Sequence, residues 1–258
     1  MRIDDRFTGK EQVFRAAACG PAGTCSVTLI QEHETEIFVN GELLAKLVCT
    51  AEHLAEMALG HLISEGVFRS ADDMDVLIVS PDGRRVDVSG RTASCGEAGG
   101  TLTVGGNSAV RMSCGSAEDR PAEDFLQRLA RAAAERFSKD MPLHKETRST
   151  HCAFLMRGTE TVFETEDISR HSAMDKVIGR LVISGIPAEE TAVFISGRVP
   201  ADVVRKTVRA GVPVLMSKEL PTKEAVGLAE RYGLTLLSQV TLDGFLTFSE
   251  GASGRLSG

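Results

Sequence analysis

The second half of the chain alternates between strand-like and helix-like runs, and this constrains the fold more than any other feature. Thr191–Ser196 reads as a strand and Ala201–Ala210 as a helix. Strand Pro213–Ser217 and helix Thr222–Tyr232 follow, then strand Leu234–Ser238 and a last strand near Phe245–Ser249. Before them, Thr150–Met156 and Thr161–Glu164 form a strand pair across Arg157-Gly158-Thr159. The run 171–184 places Met174, Val177, Ile178, Leu181 and Val182 on one helical face. Strand and helix in this order predict βαβ units and a largely parallel sheet.

The first half reads differently. Residues 1–26 look irregular, broken by Gly20-Pro21-Ala22-Gly23, and Val27–Ile30 reads as a short strand. Asn40-Gly41 between Glu36–Val39 and Glu42–Leu47 is a strong hairpin signal. Pro81-Asp82-Gly83 marks a second, because Pro presets φ and Gly accepts positive φ. Between them the spacing predicts a helix over Ala51–Ser64, with Thr50 as its N-cap. His53 and His61 read as helix-face residues rather than ligands. The stretch Gly90 to Asp119 is glycine-rich and without periodicity, which reads as a mobile loop. Pro121 then opens a helix faced by Phe125, Leu126, Leu129, Ala132, Ala133 and Phe137, and residues 139–149 read as a polar link. Two parts are expected: a hairpin-rich α+β part over 1–119 and an α/β ligand-binding part over 120–258. The last residues, 251–258, read as disordered.

Composition narrows the function. With 258 residues, 42% hydrophobic and 25% charged, the chain can bury a real core. A net charge of −7, no Trp and one Tyr argue against a nucleic-acid or anionic-membrane binder. No apolar run approaches the ~20 residues of a membrane span. Met1-Arg2-Ile3-Asp4-Asp5-Arg6 is not followed by an apolar signal core. The expected location is the cytoplasm. There the six cysteines (Cys19, Cys25, Cys49, Cys95, Cys114, Cys152) are reduced, and most are small core residues. No C-x-x-C occurs, so neither a thioredoxin-like pair nor a zinc ribbon is read, and no metal held by protein ligands is expected.

Chemistry concentrates at the ends of strands. In α/β sheets ligands collect where strands end and helices begin. Three such turns are Ser196-Gly197-Arg198, Ser217-Lys218-Glu219-Leu220-Pro221-Thr222 and Ser238-Gln239-Val240-Thr241. Helix N-termini beside Arg198 and Lys218 suit phosphates, although no Walker A or G-x-G-x-x-G pattern is present, and ordinary turn chemistry accounts for them equally. Cys95, among glycines in Ser94-Cys95-Gly96, has the access and mobility a carrier thiol needs. Glu166–Lys176 holds His171 and Asp175 one turn apart at a helix start; taken alone it reads as a solvated helix N-terminus with charge pairs. A zinc deaminase is excluded: His151 is followed by Cys152-Ala153, without the H-x-E and P-C-x-x-C that chemistry requires.

An ordered set of motifs, spanning roughly residues 36–238, resembles the formate dehydrogenase accessory protein family (FdhD, also called NarQ). It comprises Phe38-Val39-Asn40-Gly41, Leu59-Gly60-His61-Leu62-Ile63-Ser64-Glu65-Gly66, Ser94-Cys95-Gly96, Thr150-His151 and Glu166-Asp167-Ile168-Ser169-Arg170-His171-Ser172-Ala173-Met174-Asp175-Lys176. It continues through Ser196-Gly197-Arg198, the Val203…Lys206…Gly211 helix, Pro221-Thr222 and Leu234-Thr235-Leu236. The resemblance implies a three-layer, cytidine-deaminase-like α/β fold without deaminase chemistry, in a cytoplasmic homodimer. It implies a sulfurtransferase, a sulfur carrier required for formate dehydrogenase activity. Such a protein takes persulfide sulfur from a cysteine desulfurase. It passes the sulfur to the molybdenum cofactor, Mo-bis(molybdopterin guanine dinucleotide), before insertion.

The resemblance further implies Cys95 as the persulfide residue and a cofactor-contacting segment at Leu237, Ser238, Gln239, Val240, Thr241 and Leu242. It turns Glu166–Lys176 into part of a cofactor pocket, with His171, Asp175, Arg198 and Lys218 as its polar contacts. The chain departs from the family at two places. The second cysteine of the family's C-G-x-C-G loop is Ala98, and Ser169 stands where the family has Gly. Either one thiol suffices for carriage, or Cys114 substitutes, or transfer is lost; the first is preferred. The alternative is a cofactor or guanine-nucleotide-binding chaperone without sulfur transfer, and a structural subunit of a dehydrogenase assembly is a third reading.

Overall fold

A computed structural model describes residues 1–9, 11–93, 123–139 and 141–251. The α/β alternation organises a six-stranded sheet in its second half. Strands β10 (Thr191–Ile195), β11 (Val214–Ser217) and β12 (Thr235–Ser238) run parallel, side by side. All thirteen of their residues are buried, as expected of strands covered on both faces. The sheet is not largely parallel, however. The hairpin β8 (His151–Arg157) and β9 (Glu160–Asp167) adds two antiparallel strands beside β10. The strand β13 (Leu246–Ser249) adds one beside β12. Short returns to an adjacent strand must be antiparallel, and the sequence has one at each end of the βαβ run.

Helices α4 (Arg170–Ser184), α5 (Ala201–Arg209) and α6 (Lys223–Tyr232) cover one face of this sheet; α2 (Glu123–Lys139) covers the other. The three-layer α/β arrangement therefore stands. Local chemistry sets the helix ends. Ser169 Oγ accepts from Ser172 N at the start of α4, and Gly185 ends it in the left-handed region at φ 65°. Thr222 caps α6 in the same way. The stretch expected to be a polar link contains a one-and-a-half-turn helix, α3 (Pro142–Thr147).

The first half builds a five-stranded sheet in the order β1 (Arg2–Asp5), β6 (Met74–Val79), β7 (Arg85–Gly90), β4 (His33–Val39), β5 (Glu42–Cys49). Both expected hairpins form. Asn40 and Gly41 have φ of 50° and 87°, the left-handed pair that a two-residue turn requires. Helix α1 (Leu54–Ser64) packs on this sheet through Leu54, Met57, Ala58, Leu59 and Leu62. It starts three residues later than expected, after His53 at φ 52°, and Thr50 does not cap it. The Thr50 hydroxyl is instead drawn to α4, as described below. Residues 1–26 are more regular than the sequence suggests: they hold β1 and β2 (Val13–Gly20), and β2 pairs with β3 (Gly23–Ile30), whose end is the strand read at Val27–Ile30. That two-stranded ribbon has no buried residue on either strand, so it carries no alternating pattern to read.

The two sheets meet through α1 and α4. A Cβ at Gly60 would overlap the carbonyl oxygen of Asp175, and one at Gly179 would overlap that of Glu56. Glycine at both positions lets the helix backbones touch. This seats the Glu166–Lys176 stretch between the two halves of the molecule.

Candidate functional site

Because β8 is antiparallel to β10, its first residue lies at the same edge as the last residues of β10, β11 and β12. That carboxyl edge gathers His151, Arg170, Ser196-Gly197-Arg198, Ser217-Lys218 and Ser238-Gln239-Val240. The turns interlock. Ser217 Oγ donates to Gly197 O at 2.7 Å, Lys218 N to Ile195 O at 3.1 Å, and Val240 N to Ser217 O at 3.0 Å. The side chains of Arg198 and Lys218 are exposed, and the Lys218 ammonium sits 5.0 Å above the Phe137 ring. The three turns named from sequence therefore share one edge, as expected of an α/β site.

The segment 237–242 divides by burial. Leu237, Ser238 and Val240 point inward, whereas Gln239, Thr241 and Leu242 are exposed. Gln239 holds φ 50°, which turns the chain over the end of β11. Ser238 is fully buried, yet its Oγ has no hydrogen-bond partner among the described residues. A buried hydroxyl left unpaired costs about 1–3 kcal/mol, which sets it apart from its satisfied neighbours.

His171 and Asp175 do not share a site. His171 is half-exposed and its Nδ1 lies 2.8 Å from Asp202 Oδ2 at the start of α5. Asp175 is buried at the α1–α4–α5 contact. Its Oδ1 receives Lys206 Nζ at 2.6 Å and Ser64 Oγ at 3.0 Å, and its Oδ2 lies 3.0 Å from His61 Nδ1. Both oxygens are taken, so the expectation that Asp175 contacts a ligand is replaced by a structural role joining three helices. His61, read as an unremarkable helix-face residue, is one of its partners.

A second buried knot lies beside it, around the next residue of α4. Lys176 and Asp167 are fully buried with Nζ–Oδ2 at 2.6 Å. Thr50 Oγ1 accepts from Lys176 Nζ at 2.7 Å and lies 2.9 Å from Glu166 O. Thr50 N and Ser169 N both donate to the Asp167 carboxylate. Glu166 turns the other way and accepts from Leu143 N at 3.0 Å and His144 N at 2.6 Å, where its charge suits the start of α3.

Two residues of the carboxyl edge were not singled out from sequence as site residues, His151 and Arg170. The His151 Nδ1 lies 2.9 Å from where a Cβ on residue 197 would stand, which is why Gly occupies that position. Neither ring nitrogen has a hydrogen-bond partner among the described residues. Burial holds the imidazole below its ordinary range, and the charges of Arg170 and His144 add to this. Arg170 Nε is buried and likewise unpartnered. The only sequence signal for either was membership in a motif, because their meeting depends on strand order.

The thiols differ as sharply. Cys19 and Cys25 are exposed on the β2–β3 ribbon, whereas Cys49 and Cys152 are buried. Burial pushes the Cys49 thiol up to about 11 and raises Cys152 further, with Glu166 adding to the latter. Neither is a nucleophile at neutral pH. Cys95 and Cys114 lie outside the described residues, as does Ala98. Among the described residues no helix is long and apolar enough to cross a membrane.

Fold and edge together define an α/β protein with two exposed cations, Arg198 and Lys218, at the carboxyl ends of its parallel strands. The chain belongs to the FdhD/NarQ family, whose model matches residues 30–255. It is 33% identical over 222 residues to the sulfur carrier protein FdhD of Methanothermobacter thermautotrophicus, covering 82% of this chain and 85% of that protein. It is 31% identical over 258 residues to the protein of the same name from Streptomyces avermitilis, covering 90% of each. The crystal structure of a candidate formate dehydrogenase accessory protein from Desulfotalea psychrophila superposes with a TM-score of 0.74 at 22% identity, covering 93% of this chain and 97% of that one. That likeness supports the fold.

Proposed function

We propose that this protein is a cytoplasmic sulfur carrier that serves formate dehydrogenase. In this reading Cys95 is a sulfurtransferase thiol. Its thiolate attacks the outer sulfur of a cysteine desulfurase persulfide. The new S–S bond forms as the old one breaks, the desulfurase leaves as a thiolate, and Cys95 holds the persulfide. The acceptor is Mo-bis(molybdopterin guanine dinucleotide), bound as a client before it enters the dehydrogenase. The protein works as a homodimer.

The observation that carries the reading is the carboxyl edge. Arg198 and Lys218 are exposed cations beside the N-termini of α5 and α6, where backbone N–H groups favour phosphate oxygens. The buried, unpaired Ser238 hydroxyl lies in the segment 237–242. Such donors fit the phosphates of a guanine dinucleotide arm. His171 stands at the margin of this edge and Asp175 behind it.

Incubation with a desulfurase and cysteine, followed by mass spectrometry, tests the carrier role. Wild-type protein gains one sulfur on the Cys95 peptide, and Cys95→Ala does not. Undiminished persulfide in the variant rejects Cys95. The replacement of the second loop cysteine by Ala98 favours a second reading, a cofactor or guanine-nucleotide-binding chaperone. That protein binds GDP in calorimetry yet gains no persulfide.

A further inference from the structure

We propose that His151, Arg170 and the backbone at Gly197 form an oxyanion subsite that takes up its anion together with a proton. The inference rests on the proposed function only for the identity of the anion, a phosphate of the client.

Two independent features meet at this point and a third lies along the same edge. His151 is half-buried and both ring nitrogens lack partners among the described residues, although the ring stands against Gly197 with no side chain between them. Arg170 Cβ lies 3.7 Å from the same Gly197 position, and its buried Nε is an unspent donor. Ser238, fully buried with a hydroxyl unpaired among the described residues, sits on the same face of the sheet and at the same edge, three strands from His151. Structural polar groups are normally paired, and three groups at one edge that are unpaired among the described residues mark a site open to a ligand.

The charges that surround His151 are uneven. Arg170 and His171 face it from α4 and His144 from α3; Asp167 faces it from β9. Asp167 is already held by Lys176, Thr50 N and Ser169 N, so its charge is largely spent. His171 is paired to Asp202. Without a ligand, burial and the neighbouring guanidinium keep the imidazole neutral. An oxyanion within hydrogen-bond reach reverses the balance, because an opposite charge at that distance favours the imidazolium. The proton comes from solvent, and the protonated ring then donates to the anion beside Arg170. Binding and protonation are linked, so each strengthens the other.

Sulfate is the probe of choice, because it stays a dianion where phosphate titrates. Calorimetry in two buffers of different ionisation enthalpy counts protons taken up per sulfate bound. The expected result is uptake of up to one proton near neutral pH. Sulfate affinity then rises by up to about tenfold per pH unit as pH falls from about 8 toward 6, the limit for one proton. In His151→Gln the uptake disappears and the affinity becomes flat with pH; in Arg170→Gln the affinity falls at every pH. The His151 ring resonance in wild-type protein supplies a second readout that needs no variant: its titration moves to higher pH when sulfate is added. Uptake that persists in His151→Gln assigns the proton to His144 or His171 and overturns the inference, as does a ring titration indifferent to sulfate. The persulfide assay separates the two readings. A wild-type protein that shows linked sulfate binding but no Cys95 persulfide refutes the carrier function and leaves the subsite standing.

Discussion

The motif Glu166–Lys176 feeds two polar regions of opposite character. At the α1–α4–α5 contact and in the knot beside it, Asp167, Asp175, Lys176 and Lys206 are buried and every charge has a partner. At the carboxyl edge, which the motif reaches through Arg170, the Arg170 Nε and Ser238 Oγ are buried without a partner among the described residues, beside His151 and the exposed Arg198. The difference teaches how to divide a charged motif. Saturated groups hold elements together, because separating them would strand a buried charge; unsaturated groups are available to something that arrives from solvent. The motif is thus part hinge pin and part binding surface: Asp167, Asp175 and Lys176 hold elements together, and Arg170 faces the edge.

The largest effects should fall on the saturated side. Lys176→Met leaves Asp167 charged, buried and short of its main partner, and should destabilise the fold by about 3–5 kcal/mol. Lys206→Met should behave similarly by stranding Asp175. Urea denaturation measures both. If either variant is as stable as wild type, the region is not the structural half of the comparison. Next in size is Gly60→Ala, which pushes a methyl group into the Asp175 carbonyl and should cost roughly 1–3 kcal/mol or more by overpacking.

On the unsaturated side the order of effects inverts. Arg198→Ala and Lys218→Ala should change stability by less than about 0.5 kcal/mol, as exposed side chains do. Each should weaken GDP binding by about 10- to 100-fold, the range for losing a hydrogen bond to a charged group. The smallest effect is a pH slope. The folded His151 is held below its ordinary value of 6.5 mainly by burial. As pH falls below that value the unfolded chain takes up a proton that the folded chain refuses. The stability is therefore full above pH 6.5 and is lost toward the lower folded value. His151→Gln should flatten the denaturation midpoint over this window.

The thiols sharpen the same contrast between buried and open. At about pH 8 an alkylating reagent should modify Cys19 and Cys25 quickly and leave Cys49 and Cys152 untouched until the protein unfolds. Peptide mapping by mass spectrometry reads each site separately. Rapid modification of Cys152 in native protein would mean that its pocket opens.

What the sequence revealed follows from what is local. The Asn40-Gly41 turn and the two βα turns after β10 and β11 each depend on a few adjacent residues and formed where the residues called for them, whereas the turn after β12 leads into β13 rather than a helix. The assignment of Asp175 failed because its partners His61, Ser64 and Lys206 lie 114, 111 and 31 residues away. Helical spacing placed Asp175 beside His171, and only packing decides which neighbour each of them meets. Thr50 looked like a cap for the same reason, since its hydroxyl is claimed by residues more than a hundred positions away. His151 could not be recognised until β8 was known to run against β10, because strand order alone brings it beside Gly197. Of the β2–β3 ribbon only the end of β3, Val27–Ile30, was read; β2 was missed because nothing on it is buried.

The most direct test of this division is nuclear magnetic resonance of the backbone amides during titration with GDP. Shifts are expected at His151, Arg170, Gly197, Arg198, Lys218 and the segment 237–242, with His61, Ser64, Asp175 and Lys206 unmoved. Perturbation centred on Asp175 and Lys206, with the carboxyl edge silent, would contradict the account.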